Sequence, residues 1–168
     1  LGTIHLLAFC ALIMLMATVR EIRVSSSSDA MKSIASGFLK VLDQCKHELG
    51  LTDHIVADLY HYWKLDYSLL NRETGCALIC MSKKLDLIDS SGRMHHGNTQ
   101  EFALKHGASE EVAGKVVGII HGCEKQHESD QDECLRVLEV AKCFRTGIHD
   151  MNWSPKLDVI VDEVLTEI

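Results

Sequence analysis

Cysteines are the feature that most limits what this 168-residue chain can fold into, and the chain has seven of them. Cys10 lies in the apolar run from Ile4 to Val19, which suits a secretory signal segment and falls short of the roughly 20 residues that a membrane span needs. We predict that residues 1–26 are a signal peptide cleaved after Ser26, so that residues 27–168 form the mature protein. The remaining cysteines of this exported chain predict three disulfide bonds: Cys45, Cys76, Cys80, Cys123, Cys134 and Cys143.

The spacing of two cysteines restricts how those bonds can form. Cys76 and Cys80 are four residues apart, so a helix aims both side chains the same way, and each must bond to a cysteine of another element. This leaves the partners open, because six cysteines allow about 15 pairings. Metal binding is the alternative, but zinc sites favour CxxC or HxxxH pairs and the sequence contains neither. We therefore expect disulfides, no metal site and no cofactor.

An all-α domain is the fold class that the sequence favours. Pro155 is the only proline, and the alternation of apolar and polar residues that is typical of strands is hard to find. A mature chain of this length is expected to form one domain with a single core. Weaker helical patterns cover residues 29–49 and 54–63.

Stronger helices are marked by their capping residues. Ser109 precedes two glutamates and an apolar pattern that recurs with helical spacing, and a further helix follows the polar loop 124–132. Asn71 is a possible cap for the helix that bears Cys76 and Cys80. Asn98, with Glu101 three residues later, resembles a capping box and predicts a helix that begins there.

A separate terminal helix is predicted for residues 156–168. Ser154 and Pro155 form a suitable N-cap and first residue, and the apolar side chains that follow share one face of the helix. The other face is acidic. From composition alone, a surface helix that closes the core explains this pattern. Its acidic residues include Asp158, Asp162, Glu163 and Glu167.

Charge and missing motifs exclude several functions. The formal net charge is −7, and no cluster of Lys and Arg is present, which argues against nucleic acid and anionic membranes as partners. The chain lacks HExxH, G-x-S-x-G, a Walker loop and GxGxxG, so we expect no catalytic residues and no enzymatic activity.

Longer stretches of the sequence identify a family. The cysteine spacing C-x30-C-x3-C-x42-C-x10-C-x8-C occurs together with LLNRETGCALICMSKKL, MHHGNTQEFALKHGA, IIHGCEK, AKCFRTGIH and MNWSPKLDV. From Met31 to Ile168 this combination resembles the moth pheromone-binding proteins of the insect odorant-binding family. General odorant-binding proteins of moths are the near neighbours. The resemblance implies six to seven helices around a hydrophobic ligand cavity and three interlocked disulfides, Cys45–Cys80, Cys76–Cys134 and Cys123–Cys143.

The resemblance also implies a function. Members of this family are secreted and carry a long-chain unsaturated alcohol, aldehyde or acetate through antennal sensillum lymph to an olfactory receptor or membrane, and dimers are expected near neutral pH. On matching positions, Phe38 and Phe144 would sandwich the ligand chain and Ser82 would hydrogen-bond its oxygen. Ordinary core packing is the alternative for each apolar position. The rest of the lining would be Met31, Trp63, Leu78, Leu87, Ile88, Met94, Phe102, Val117 and Ile120.

Release at low pH is the last property that the resemblance implies. The resemblance assigns His95, His96 and His121 to a pH switch, because the unperturbed pKa of histidine, about 6.5, lies where a moderate fall in pH changes its charge. On its own, a His-His doublet indicates an exposed loop. The acidic terminal helix would enter the cavity only after protonation, because burying an unpaired carboxylate costs several kcal/mol. A general odorant or lipid scavenger and, less so, a secreted lipid-acting enzyme remain as alternatives.

Overall fold

The structure, a computed structural model, describes residues 27–156, and within them the fold is all-α. The predicted signal peptide and residues 157–168 of the predicted terminal helix lie outside the described residues. No helix in the described part is both long and apolar enough to cross a bilayer. The elements in chain order are α1 (27–39), α2 (Leu42–Leu49), α3 (His54–Trp63), a 3-10 helix (Tyr67–Leu69), α4 (Arg72–Lys84), α5 (His96–Lys105), α6 (Glu110–Gln126) and α7 (Glu133–Asp150).

The pattern predicted over residues 29–49 is divided between two helices. A turn at Lys40 and Val41 separates α1 from α2, so the prediction of one continuous helix is wrong. Leu39 and Leu42 lie on either side of the turn and are both buried. Because apolar spacing continues across the turn, periodicity alone could not reveal the change of direction.

Two of the predicted helix starts are confirmed by their hydrogen bonds. The Asn71 side chain accepts from the backbone N–H of Glu73 at 2.9 Å, and Thr74 completes a capping box. The Ser109 hydroxyl accepts from the backbone N–H of Val112 at 3.2 Å. Each bond satisfies a donor that the first turn of a helix otherwise leaves unpaired.

The start predicted at Asn98 is wrong. Helix α5 begins earlier, because Nδ1 of His95 accepts the backbone N–H of Asn98 at 3.2 Å and acts as the N-cap. The Asn98 side chain instead donates to the backbone oxygen of Asp86 at 2.8 Å and to its carboxylate at 2.9 Å. The loop before α7 is also shorter than predicted, because α6 continues to Gln126.

Three disulfides link the helices and follow the pairing that the resemblance implied. Cys45–Cys80 joins α2 to α4, Cys76–Cys134 joins α4 to α7, and Cys123–Cys143 joins α6 to α7. Gly75 lies beside the second bond, where a Cβ atom would overlap the carbonyl oxygen of Cys134. The absence of a side chain therefore lets α4 and α7 approach closely.

One short loop differs from the helical pattern. Ile88 and Met94 form a single antiparallel bridge, and the backbone N–H of Asp89 donates to the Arg93 oxygen at 2.8 Å. On the other side, the N–H of His95 donates to the Leu87 oxygen at 2.8 Å. The segment 87–95 is thus a closed, hydrogen-bonded turn between α4 and α5.

Candidate ligand-binding cavity

A cavity of about 220 Å³ lies between the helices and the 87–95 turn. Its wall is formed almost entirely by apolar side chains from α1, α3, α4, α5, α6 and α7. The structure brings eleven of the expected ligand-contacting residues to this wall: Met31, Phe38, Trp63, Leu78, Ser82, Leu87, Ile88, Met94, Phe102, Ile120 and Phe144.

Val117 is the expected residue that the structure does not place in the wall. Its position is taken by Val116, which is buried, whereas Val117 is partly exposed. One step along an α-helix rotates the side chain by about 100°, and on α6 that rotation turns Val117 away from the cavity that Val116 lines. The buried residues Ala113 and Val116 and the lining residue Ile120 define the inward face by their helical spacing.

Hydroxyl groups in the wall differ in their availability to a ligand. The Thr99 hydroxyl donates to the Leu87 oxygen at 3.5 Å, and the Tyr62 hydroxyl donates to the Ala141 oxygen at 3.0 Å. Burial also raises the pKa of the Tyr62 phenol, which therefore stays neutral. Ser82 is buried, and among residues 27–156 its hydroxyl has no hydrogen-bond partner. Ser82 is thus free to bond to a polar ligand group.

Several lining residues were not anticipated from the sequence. Helix α7 contributes more of the wall than Phe144 alone, and α1 adds further aliphatic side chains. Their helical spacing was visible but does not distinguish a cavity wall from a solid core. The additional apolar residues include Ile34, Ala35, Leu39, Val137, Val140, Ala141 and Ile148.

Charged side chains hold the 87–95 turn over the cavity. The carboxylate of Glu124, a lining residue on α6, accepts the backbone N–H of Met94 at 2.6 Å through Oε1. From α7, the guanidinium of Arg136 donates to the Ser91 oxygen at 3.0 Å and to the Asp130 oxygen at 3.0 Å. Two helices therefore anchor this turn through contacts that would have to break if it moved.

The three histidines expected to form a switch lie near the turn, but none of them lines the cavity. His95 is exposed and caps α5. The rings of His96 and His121 meet edge to face with centroids 4.9 Å apart. The structure therefore brings His96 and His121 together and gives His95 a different role.

Glu124 joins this histidine pair. One donor atom from each of His96, His121 and Glu124 lies within 4.8 Å of the others. The sequence predicted no metal site because it contains no closely spaced CxxC or HxxxH pair. The pattern His121-x-x-Glu124 places two of the three side chains on one face of α6. The sequence does not reveal the full group, because His96 comes from a different helix.

The sequence of this chain is similar to a known family of proteins. The sequence model of the PBP/GOBP family matches residues 27–147. "Pheromone-binding protein 2" of Epiphyas postvittana is 44% identical over 145 residues, which cover 86% of this chain and 88% of that protein. "General odorant-binding protein 1" of Antheraea pernyi is 35% identical over 139 residues, or 83% of each chain.

A solved structure extends the comparison to the fold. The crystal structure of Epiphyas postvittana Pheromone Binding Protein 3 is 60% identical, with a TM-score of 0.66, and the match covers 69% of this chain and 99% of that chain. The relatives are named as binding proteins, which confirms the expectation that the chain is not an enzyme.

Proposed function

This chain belongs to the PBP/GOBP family, and on that premise we propose that it is a secreted, non-enzymatic carrier that binds and solubilises a hydrophobic sex pheromone. The proposed ligand is a long-chain unsaturated alcohol, aldehyde or acetate. The proposed site of action is antennal sensillum lymph, with delivery to an olfactory receptor or membrane. The single observation that supports this function best is an apolar cavity in whose wall one hydroxyl, that of Ser82, has no hydrogen-bond partner among the described residues.

Burial of the hydrocarbon chain supplies the affinity. Each methylene removed from water contributes about 0.8 kcal/mol, so about ten buried methylenes contribute about 8 kcal/mol before the entropic cost of binding. In this proposal the chain lies between Phe38 on α1 and Phe144 on α7, both of which line the cavity. Apolar contacts of this kind select chain length and shape.

Ser82 supplies the polar contact. Its hydroxyl can donate to an aldehyde or acetate oxygen and can donate to or accept from an alcohol, whereas the hydroxyls of Thr99 and Tyr62 already have partners. One such bond contributes about 0.5–1.5 kcal/mol, which is about a twofold to thirteenfold change in affinity. The contact therefore orients the ligand more than it retains it.

Release at low pH is proposed to begin at the histidines. Protonation of Nδ1 would remove the acceptor with which His95 caps α5, and a cation at a helix N-terminus is unfavourable. Simultaneous protonation of His96 and His121 would place two cations in contact, with Glu124 as the carboxylate that faces them and offsets part of the repulsion. The anchored turn next to this pair is the element proposed to open.

The terminal helix is proposed to complete the release. Asp158, Asp162, Glu163 and Glu167 belong to residues outside the described part, and their contribution follows from chemistry alone. An ionised carboxylate cannot enter an apolar cavity without losing several kcal/mol of hydration, so insertion requires protonation. Asp162 adds one proton to that requirement.

Ligand selectivity can be tested through Ser82. A fluorescent hydrophobic probe is displaced by a long-chain alcohol or by the alkane of equal length, in the wild type and in Ser82→Ala. The variant should bind the alcohol about twofold to thirteenfold more weakly and the alkane equally well. Ser68→Ala is the matched control, because Ser68 is exposed and bonds to Asp66. Equal alcohol affinity in Ser82→Ala would reject the assigned role.

The same assay distinguishes the alternatives. A broad scavenger would give similar affinities for chemically unrelated ligands, and a lipid-acting enzyme would turn over fatty acetates or esters. For pH release, the displacement is measured at about pH 7 and pH 5 in the intact chain and after deletion of residues 157–168. Equal affinity at both pH values in the intact chain would reject the switch. Sedimentation at both pH values would test the homodimer proposed near neutral pH.

A further inference from the structure

We propose that His96, His121 and Glu124 form a binding site for a divalent transition-metal cation of the Zn²⁺ type. The site lies at the junction of α5 and α6, beside the 87–95 turn. It is formed by two imidazole nitrogens and one carboxylate oxygen that lie within 4.8 Å of one another. This inference is independent of which ligand the cavity binds.

The distances are close to those of a bound ion. Zinc lies about 2.0–2.2 Å from nitrogen and oxygen ligands in a tetrahedral arrangement, which separates neighbouring donor atoms by about 3.4 Å. A spacing of at most 4.8 Å exceeds that separation by about 1.4 Å at most, a difference on the scale of side-chain rotation. Two histidines and one glutamate are a ligand set that zinc uses with a water in the fourth position.

The fold already positions the three side chains. His121 and Glu124 are three residues apart on α6, so they project from the same face. His96 is the first residue of α5, and its ring contacts the ring of His121. Glu124 Oε1 accepts the backbone N–H of Met94 at 2.6 Å, which orients the carboxylate and leaves Oε2 available to the ion. Such supporting hydrogen bonds are typical of protein metal ligands.

Exposure allows an ion to enter. His96 is exposed, and His121 and Glu124 are partly buried, so solvent reaches the group from one side. Ca²⁺ and Mg²⁺ prefer six or more oxygen ligands and should not bind here, whereas imidazole suits Zn²⁺ and Co²⁺. The donor set therefore predicts selectivity as well as binding.

Titration calorimetry of the untagged mature protein at one fixed pH near 7.4 tests this proposal. Zn²⁺ should bind with one high-affinity site per chain, Co²⁺ should give the visible absorption of a low-coordinate ion at the same stoichiometry, and Ca²⁺ and Mg²⁺ should give no saturable signal. His96→Gln, His121→Gln and Glu124→Gln should each weaken Zn²⁺ binding by at least about tenfold.

The controls separate lost ligands from lost structure. The Glu124→Gln variant keeps an amide oxygen that can accept the Met94 N–H and removes only the carboxylate charge. His47→Gln is the control, because His47 is exposed on α2 and is not in the cluster, and it should keep Zn²⁺ affinity within about twofold. All variants should show the wild-type helical circular dichroism before metal is added. Absence of a one-to-one site, or a Zn²⁺ affinity in the three cluster variants equal to that of the wild type, would overturn the proposal.

Discussion

Replacing Gly75 with Ala should destabilise the fold, because this glycine on α4 packs directly against the backbone of α7. A Cβ atom at this position would overlap the carbonyl oxygen of Cys134 and come within 3.2 Å of Cβ of Leu138. The obstructing oxygen belongs to the backbone of α7, so it cannot move by changing a rotamer. The adjacent Cys76–Cys134 bond, with a Cα–Cα distance of 4.7 Å, restrains the two helices further.

Two opposing effects determine the magnitude. Alanine in a helix interior is about 0.5–1 kcal/mol more favourable than glycine. Overpacking a tight contact costs about 1–3 kcal/mol, and this contact is at the upper end because the backbone obstructs it. The net loss in the free energy of unfolding is therefore about 2 kcal/mol. For a chain of this size, that corresponds to a fall in Tm of about 6–8 °C.

Gly114→Ala is the matched control. Gly114 is also inside a helix, but a Cβ atom there would meet no other atom within 4 Å. It should gain about 0.5–1 kcal/mol, so thermal or urea unfolding followed by circular dichroism should shift the two variants in opposite directions. A Gly75→Ala variant as stable as the wild type, or an equal loss in Gly114→Ala, would refute the close-contact explanation.

Three further predictions concern the helix junctions. The Arg72 hydrogen bond lowers the pKa of Asp132, so its ionised form adds stability above the unfolded pKa, and that stability is lost as the pH falls through the folded pKa. Asp132→Asn should lower the midpoint of urea unfolding relative to the wild type at pH 7 but not at about pH 2. An equal difference between variant and wild type at both pH values would contradict this. Replacing both Cys76 and Cys134 with Ala should lower the free energy of unfolding by about 4 kcal/mol, because the disulfide closes a loop of 58 residues. A loss under about 1 kcal/mol in urea unfolding would contradict this. In Gly37→Ala the new Cβ atom would overlap the movable His106 ring, so its loss in Tm should be smaller than that of Gly75→Ala, and a larger loss would reject this account.

The sequence predicted the framework of the fold because cysteines and caps act locally or through strict spacing. The i, i+4 separation of Cys76 and Cys80 required different partners, and the caps at Asn71 and Ser109 followed from the chemistry of helix N-termini. Spacing alone could not choose among the possible pairings. The family resemblance supplied that choice, and the three bonds agree with it.

The errors occurred where tertiary contacts decide the outcome. Asn98 has the capping preference, but its side chain bonds to Asp86, and the imidazole of His95 caps α5 instead. Val117 has the right chemistry for a cavity wall, but the rotation of α6 places Val116 there. In both cases the predicted residue has suitable chemistry, but the tertiary structure directs the side chain of a different residue to that position.

The group at His96, His121 and Glu124 shows the same limit. Two of its members form a recognisable pattern on one helix, whereas the third lies 25 residues earlier and approaches only when α5 packs on α6. A motif search along the chain cannot detect a site assembled across a helix interface.

Ligand displacement at equilibrium tests the central claim most directly. The purified mature protein at about pH 7 is loaded with a fluorescent hydrophobic probe and titrated with long-chain alcohols, aldehydes and acetates, and with short polar odorants as the comparison set. We predict that the long-chain ligands displace the probe, because each can bury about ten methylenes in the cavity, and that the short polar odorants do not. Failure of every long-chain ligand to displace the probe, or equal displacement by both sets, would contradict the proposed function.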